Sequence, residues 1–173
     1  MPETQTGVRV DLAREGAANV ATGLPVLDHL VTELALTARF RVALEVAPGS
    51  ADEAVVAAGR ALGGSLHGLL TANAGRGWAL VPSDEALASA ALERDDEPRL
   101  VTNVDFSDQR VGGLSTDVAS RFLEELARSA GLNLHVRLIE GADPQHVLAA
   151  IFKAVGAALG QACRPVPESK EEQ

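Results

Sequence analysis

Much of one pattern occurs twice in this chain, roughly ninety residues apart. The run Leu30-Val31-Thr32-Glu33-Leu34-Ala35 lines up with Phe122-Leu123-Glu124-Glu125-Leu126-Ala127, and Ala61-Leu62-Gly63 lines up with Ala154-Val155-Gly156. The spacing shifts by one residue between the blocks, so one small insertion or deletion reconciles them. A repeat of this length constrains the fold more than any single motif. The chain must form two similar half-units that pack on each other. His29 and His146 both fall inside the repeated blocks, where paired sites would be expected.

The 173 residues suffice for one compact domain or two small fused half-domains. With four Phe, one Trp and no Tyr, the core must be built from Ala, Val and Leu. Small side chains bring backbones close but bury little area per residue, a composition that goes with further burial in an oligomer. A single cysteine, Cys163, rules out an internal disulfide and fits a reducing cytosol. It has no activating neighbour in the sequence and reads as a small buried residue. The formal charge of −9 argues against nucleic-acid binding, because phosphate contacts need clustered Lys and Arg. No apolar run approaches the ~18 residues of a membrane span, and no leader opens the chain. The expectation is a soluble cytoplasmic protein.

Periodicity orders the elements. Val8, Val10 and Leu12 alternate with polar residues as a strand, and Leu27, Leu30, Val31 and Leu34 follow at helical spacing. Phe40, Val42, Leu44 and Val46 alternate as a second strand. Ser50 is a candidate N-cap for a helix reaching about residue 70. In the second half Ser115 or Thr116 caps a helix ended by Gly131, a strand runs from Leu132 to Leu138, and Asp143-Pro144 opens the last helix. Residues 85–94 have helix-forming composition between stretches that look extended, and pattern alone leaves that block open. The halves are placed at residues 1–75 and 76–164, followed by a charged tail, 165–173.

Several motifs resemble the imidazoleglycerol-phosphate dehydratase family of histidine biosynthesis, in the family's order and over nearly the whole chain. Thr22-Gly23-Leu24-Pro25-Val26-Leu27-Asp28-His29-Leu30 is similar to its TG(I/V)PFLDHM signature, and Pro82-Ser83-Asp84-Glu85-Ala86-Leu87 to its PMDEAL segment. Gln145-His146-Val147-Leu148-Ala149 lies where the family has HHxxE, followed by Phe152-Lys153-Ala154 for its FKA. The resemblance implies an α/β (α+β) fold with an internal duplication of a β-β-β-α-β-α half-domain. Two mixed sheets would enclose a four-helix layer, like domain 2 of ribosomal protein S5. It also implies a cage-like homo-oligomer built from trimers, on the order of a 24-mer. A two-manganese centre at subunit contacts would make a substrate C–H proton removable, because Lewis acids stabilise the developing charge.

The resemblance carries His29 and His146 over as metal ligands, with Asp52 and Glu53 as further oxygen donors where the family has His-His. Val56 and Ala149 replace its two glutamates, Gln145 replaces one His, and Arg121 stands in place of another. Asp52 and Glu53 also sit in a first helical turn, where acids favour the helix dipole. The resemblance places Glu3 at the catalytic acid/base position and Ser169 and Lys170 at substrate-phosphate contacts, with Arg76, next to the family's arginine position, as a substitute contact. Gly75 and Glu97 replace two phosphate-binding arginines. Three readings follow. The chain is a catalytically impaired or inactive relative with no metal or one weakly bound divalent ion, or an active lyase with a remodelled metal site. The third is a non-catalytic subunit for assembly or for binding a small phosphate ester.

Overall fold

The computed structural model describes residues 6–106, 110–111 and 114–167. Glu3, Ser169 and Lys170 lie outside the described residues. The first half contains β1 (Gly7–Leu12), β2 (Ala17–Ala21), α1 (Pro25–Ala38), β3 (Phe40–Glu45) and α2 (Ala51–Ala72). The second contains β4 (Arg76–Ser83), β5 (Ala86–Arg94), β6 (Arg99–Thr102), a short pair β7 (Arg110–Val111) and β8 (Leu114–Ser115), then α3 (Thr116–Ala130), β9 (Leu132–Glu140) and α4 (Pro144–Ala162).

Each half makes one mixed sheet. The first has the order β1-β3-β2, with β1 antiparallel and β2 parallel to the central β3. The second has the order β4-β5-β9-β6, in which β9 takes the place of β3 and pairs antiparallel with β5 and parallel with β6. The halves therefore share the strand-helix-strand-helix core, and the first sheet is one strand narrower.

The four helices form the layer between the sheets, with α2 against α3 and α1 against α4. Phe122 of α3 stacks on Phe152 of α4, ring centroids 5.7 Å apart. Elsewhere the helices approach through glycine. A Cβ on Gly63 would stand 2.6 Å from the Leu126 carbonyl oxygen, and one on Gly156 would stand 2.3 Å from that of Leu34. These two glycines are equivalent under the repeat, so both helix pairs use the same close approach.

The undecided block is settled by burial. Ala86, Ala88, Ala90 and Leu92 all face inward at every second residue, so residues 86–94 form the strand between β4 and β9. Alanine's helix propensity is a weak prior, overridden where a small side chain lets α4 pack closely on the sheet. Cys163 is fully buried behind α4, and burial pushes its thiol up to about 12, which leaves it an unreactive packing residue. Among the described residues no helix is long and apolar enough to cross a membrane.

Candidate functional site

The Thr22–His29 motif is first a folding device. Gly23 takes a left-handed φ of 85° that other residues rarely adopt, and Pro25 starts α1 without a missing donor. No side chain caps this helix N-terminus. Instead the Asp28 carboxylate accepts the Thr22 backbone N–H at 2.9 Å and the Thr22 hydroxyl at 2.5 Å, locking the entry turn. That clasp points His29, the next residue, outward.

His29 and the α4 residues Gln145, His146, Ala149 and Lys153 line one cleft of 480 Å3. The His29 Nε2 lies 3.8 Å from Glu33 one turn along α1, and the other oxygen of Glu33 lies 3.8 Å from Lys153 Nζ. His146 sits in the first turn of α4, whose N-cap Asp143 accepts the backbone N–H groups of Gln145 and His146. Its ring is held from both sides. Nδ1 donates to Glu85 at 2.5 Å, while Nε2 lies 3.5 Å from Asp84. Asp84 occupies the turn between β4 and β5 with a φ of 51°, a left-handed conformation that Asp tolerates better than most residues. The Glu85 hydrogen bond raises the His146 pKa above its ordinary value, with the charges of Asp143, Glu85 and Asp84 adding to it.

The positions equivalent under the repeat lie on α2 and α3, and they make a different structure. Arg121, the counterpart of His29, donates from Nη1 to Asp52 Oδ1 at 2.7 Å. Glu53, the counterpart of His146, closes a capping box. Its N–H donates to the Ser50 hydroxyl at 3.2 Å and its carboxylate accepts the Ser50 N–H at 3.1 Å. Asp52 and Glu53 border a separate cleft with Val56 and Arg60. Within one chain the structure thus brings His29 and His146 to one place and leaves Asp52 and Glu53 at another. Among the described residues no three His, Cys, Asp or Glu side chains converge as a metal site. Arg76 lies on the outer face of the second sheet, paired with Glu93 at 3.2 Å.

Two features of this site have no signature in any motif. The His146 clamp joins α4 to a hairpin turn sixty residues away, and the Arg121–Asp52 pair joins two helices. The His29–Glu33 approach could be anticipated from its i, i+4 spacing. His67 is exposed on α2, and its Nδ1 lies 3.0 Å from the carbonyl of Ala130 at the end of α3.

Fold and site together define a duplicated two-sheet α/β protein with two separate and unlike clefts at repeat-equivalent positions. Residues 22–159 match the profile of the imidazoleglycerol-phosphate dehydratase family. Curated proteins of that name are similar to most of this chain. One from Desulforudis audaxviator is 38% identical over 92% of this chain and 86% of its own length. Another from Metallosphaera sedula is 32% identical over 93% and 86%. The crystal structure of imidazoleglycerol-phosphate dehydratase from Staphylococcus aureus superposes with a TM-score of 0.84 at 25% identity, covering 94% of this chain and 95% of that one. The Pyrococcus furiosus structure shares the fold, with a TM-score of 0.81 at 22% identity over 99% of this chain and 96% of that one. The chain belongs to the imidazoleglycerol-phosphate dehydratase family, and so to the protein lineage of histidine biosynthesis.

Proposed function

We propose that this chain is a histidine-pathway dehydratase relative whose own metal-dependent dehydration is impaired or absent. The observation that carries this reading is the Arg121–Asp52 ion pair. A guanidinium has no lone pair to offer and its charge repels a cation, so Arg121 cannot take a ligand's part. Asp52 is spent neutralising it, and Glu53 is spent on the helix cap. His146 keeps Nε2 beside Asp84, one donor of suitable geometry, but tight transition-metal binding needs several convergent ligands. The donor set does not fit a two-manganese centre. A remodelled active centre would have to draw Asp52 and Glu53 out of these bonds. His29 and His146 remain the candidates for one weakly held divalent ion, and Arg76, Ser169 and Lys170 for a phosphorylated ligand. Glu3 retains the acid/base position. The repeat and the small-residue core support retention of the fold for assembly as a trimer-based homo-oligomer in the cytoplasm.

Elemental analysis of chain purified without chelator, paired with a dehydratase assay in added manganese, tests this. The expected result is less than about one manganese per chain and no turnover. Two manganese ions per chain with turnover would overturn it.

A further inference from the structure

Duplication has left the two sheets unequal at one edge. β1 corresponds to β5, because each pairs antiparallel with the central strand of its sheet, β3 or β9. On its other side β5 is flanked by β4, again antiparallel. β1 has no such neighbour among the described residues and ends its sheet. An edge strand presents a row of backbone N–H and C=O groups that can template a further strand. The edges of the second sheet are blunted, since β4 contains Pro82 and β6 has only four residues. β1 runs six residues without proline, Gly7-Val8-Arg9-Val10-Asp11-Leu12.

The sequence of β1 is complementary to itself. Val8 and Val10 pack against the core, and on the opposite face Arg9 meets Asp11 at 3.1 Å. Two copies related by a two-fold axis through Val10 would pair antiparallel. In that register Arg9 faces the partner's Asp11, and Asp11 faces the partner's Arg9. Moving the axis to Arg9 or to Asp11 sets like charges opposite each other, which is destabilising. An axis between two residues would set the core face of one copy against the outer face of the other. The Val10 register also places Leu12, 40% exposed in the single chain, opposite the partner's Val8. One register satisfies both faces.

We propose that β1 is a contact edge for a second copy of this chain, joined as an antiparallel strand pair with Val10 on the two-fold axis. The first sheet then continues across the axis in the order β2-β3-β1-β1-β3-β2. Each copy supplies the neighbour that β4 supplies to β5. The Arg9 and Asp11 side chains are 80% and 48% exposed, so their pair within one chain is weak and can be exchanged for pairs across the axis. The inference deepens the assembly part of the proposed function by naming a contact. It does not depend on the metal reading or on a threefold contact.

Charge exchange in the full chain tests the contact. Arg9→Asp sets Asp opposite Asp across the axis, and Asp11→Arg sets Arg opposite Arg. In sedimentation velocity over about 1–100 µM chain, each variant should fall about twofold or more in particle mass relative to wild type. Far-UV circular dichroism should stay unchanged, because both side chains are exposed. Mixing the two variants in equal amounts makes every pair across the axis opposite in charge and should restore the wild-type mass. Oxidative cross-linking reads the register. Arg9→Cys and Asp11→Cys chains should cross-link more with each other than with themselves, since directly opposed Cβ atoms lie about 4.5–5.5 Å apart. The buried Cys163 does not compete. A wild-type chain that sediments as a monomer overturns the proposal. So does a mixture that fails to recover mass, or cross-linking that favours Arg9→Cys with itself. An oligomer whose mass neither substitution changes also overturns it, while leaving the trimer-based reading in place.

Discussion

Both ring nitrogens of His146 face carboxylates, which gives a pH dependence whose sign can be worked out. The Glu85 hydrogen bond raises its pKa above the ordinary 6.5, so the contribution to stability is full below 6.5 and is lost as pH rises through the folded-state value. Glu85 is shifted the other way. Its own backbone N–H lowers its pKa below 4.5, with His146 and the Asp143 N–H adding to the effect. Its contribution is present above 4.5 and lost as pH falls through the folded-state value. The clamp is therefore fully formed between those two ordinary values. In an NMR titration, Glu85→Gln should move the His146 midpoint down toward 6.5, and an unchanged midpoint would show that the clamp does not form in solution. His146 was legible as a candidate residue, and Glu85 as part of the Pro82–Leu87 motif. Their partnership was not, because it depends on how the β4–β5 turn meets the start of α4.

The start of α2 shows what an element can reveal from local sequence. Ser50 and Glu53 stand three apart before an apolar run, the signature of a capping box, and both bonds form. Ser50→Ala should lower stability by about 1 kcal/mol, read as a lower urea midpoint with unchanged slope. A comparable loss in Glu53→Gln would mean that charge at the helix N-terminus counts for more than the hydrogen bond to Ser50, since Gln can still accept it. The caps at Ser50 and Asp143, the left-handed Gly131 and the alternation of β3 and β9 were all legible for the same reason: each involves residues a few positions apart. The strand β5 was not. Ala-rich residues 86–94 are extended only because β4 and β9 pair on either side and α4 packs across them.

Across the whole molecule, the helix layer rests on backbone approach. Gly63 and Gly64 are neighbours in α2 with opposite surroundings. A Cβ at Gly63 would clash with the α3 backbone, whereas one at Gly64 would meet nothing within 4 Å. Gly63→Ala should therefore destabilise by about 1–3 kcal/mol through overpacking. Gly64→Ala should stabilise by about 0.5–1 kcal/mol by removing glycine's entropic cost in a helix. Thermal unfolding of the two variants checks the pair, and a shared sign would mean that α2 and α3 are not packed as described.

The repeated leucines, the caps and the alternating strands pointed to the duplicated architecture, because periodicity and capping are short-range, and the resemblance of the Thr22–Leu30 and Pro82–Leu87 motifs carried the family. Only the tertiary structure decided what the site became. One set of repeat-equivalent positions forms a cleft with His29 and His146, and the other forms the Arg121–Asp52 pair. The two sheets likewise look alike in strand pattern and differ once β4 flanks β5 and β1 is left at an edge. The physical reason is range. A side chain's partner across sixty or more residues is set by how the layers pack, and no local pattern encodes that distance.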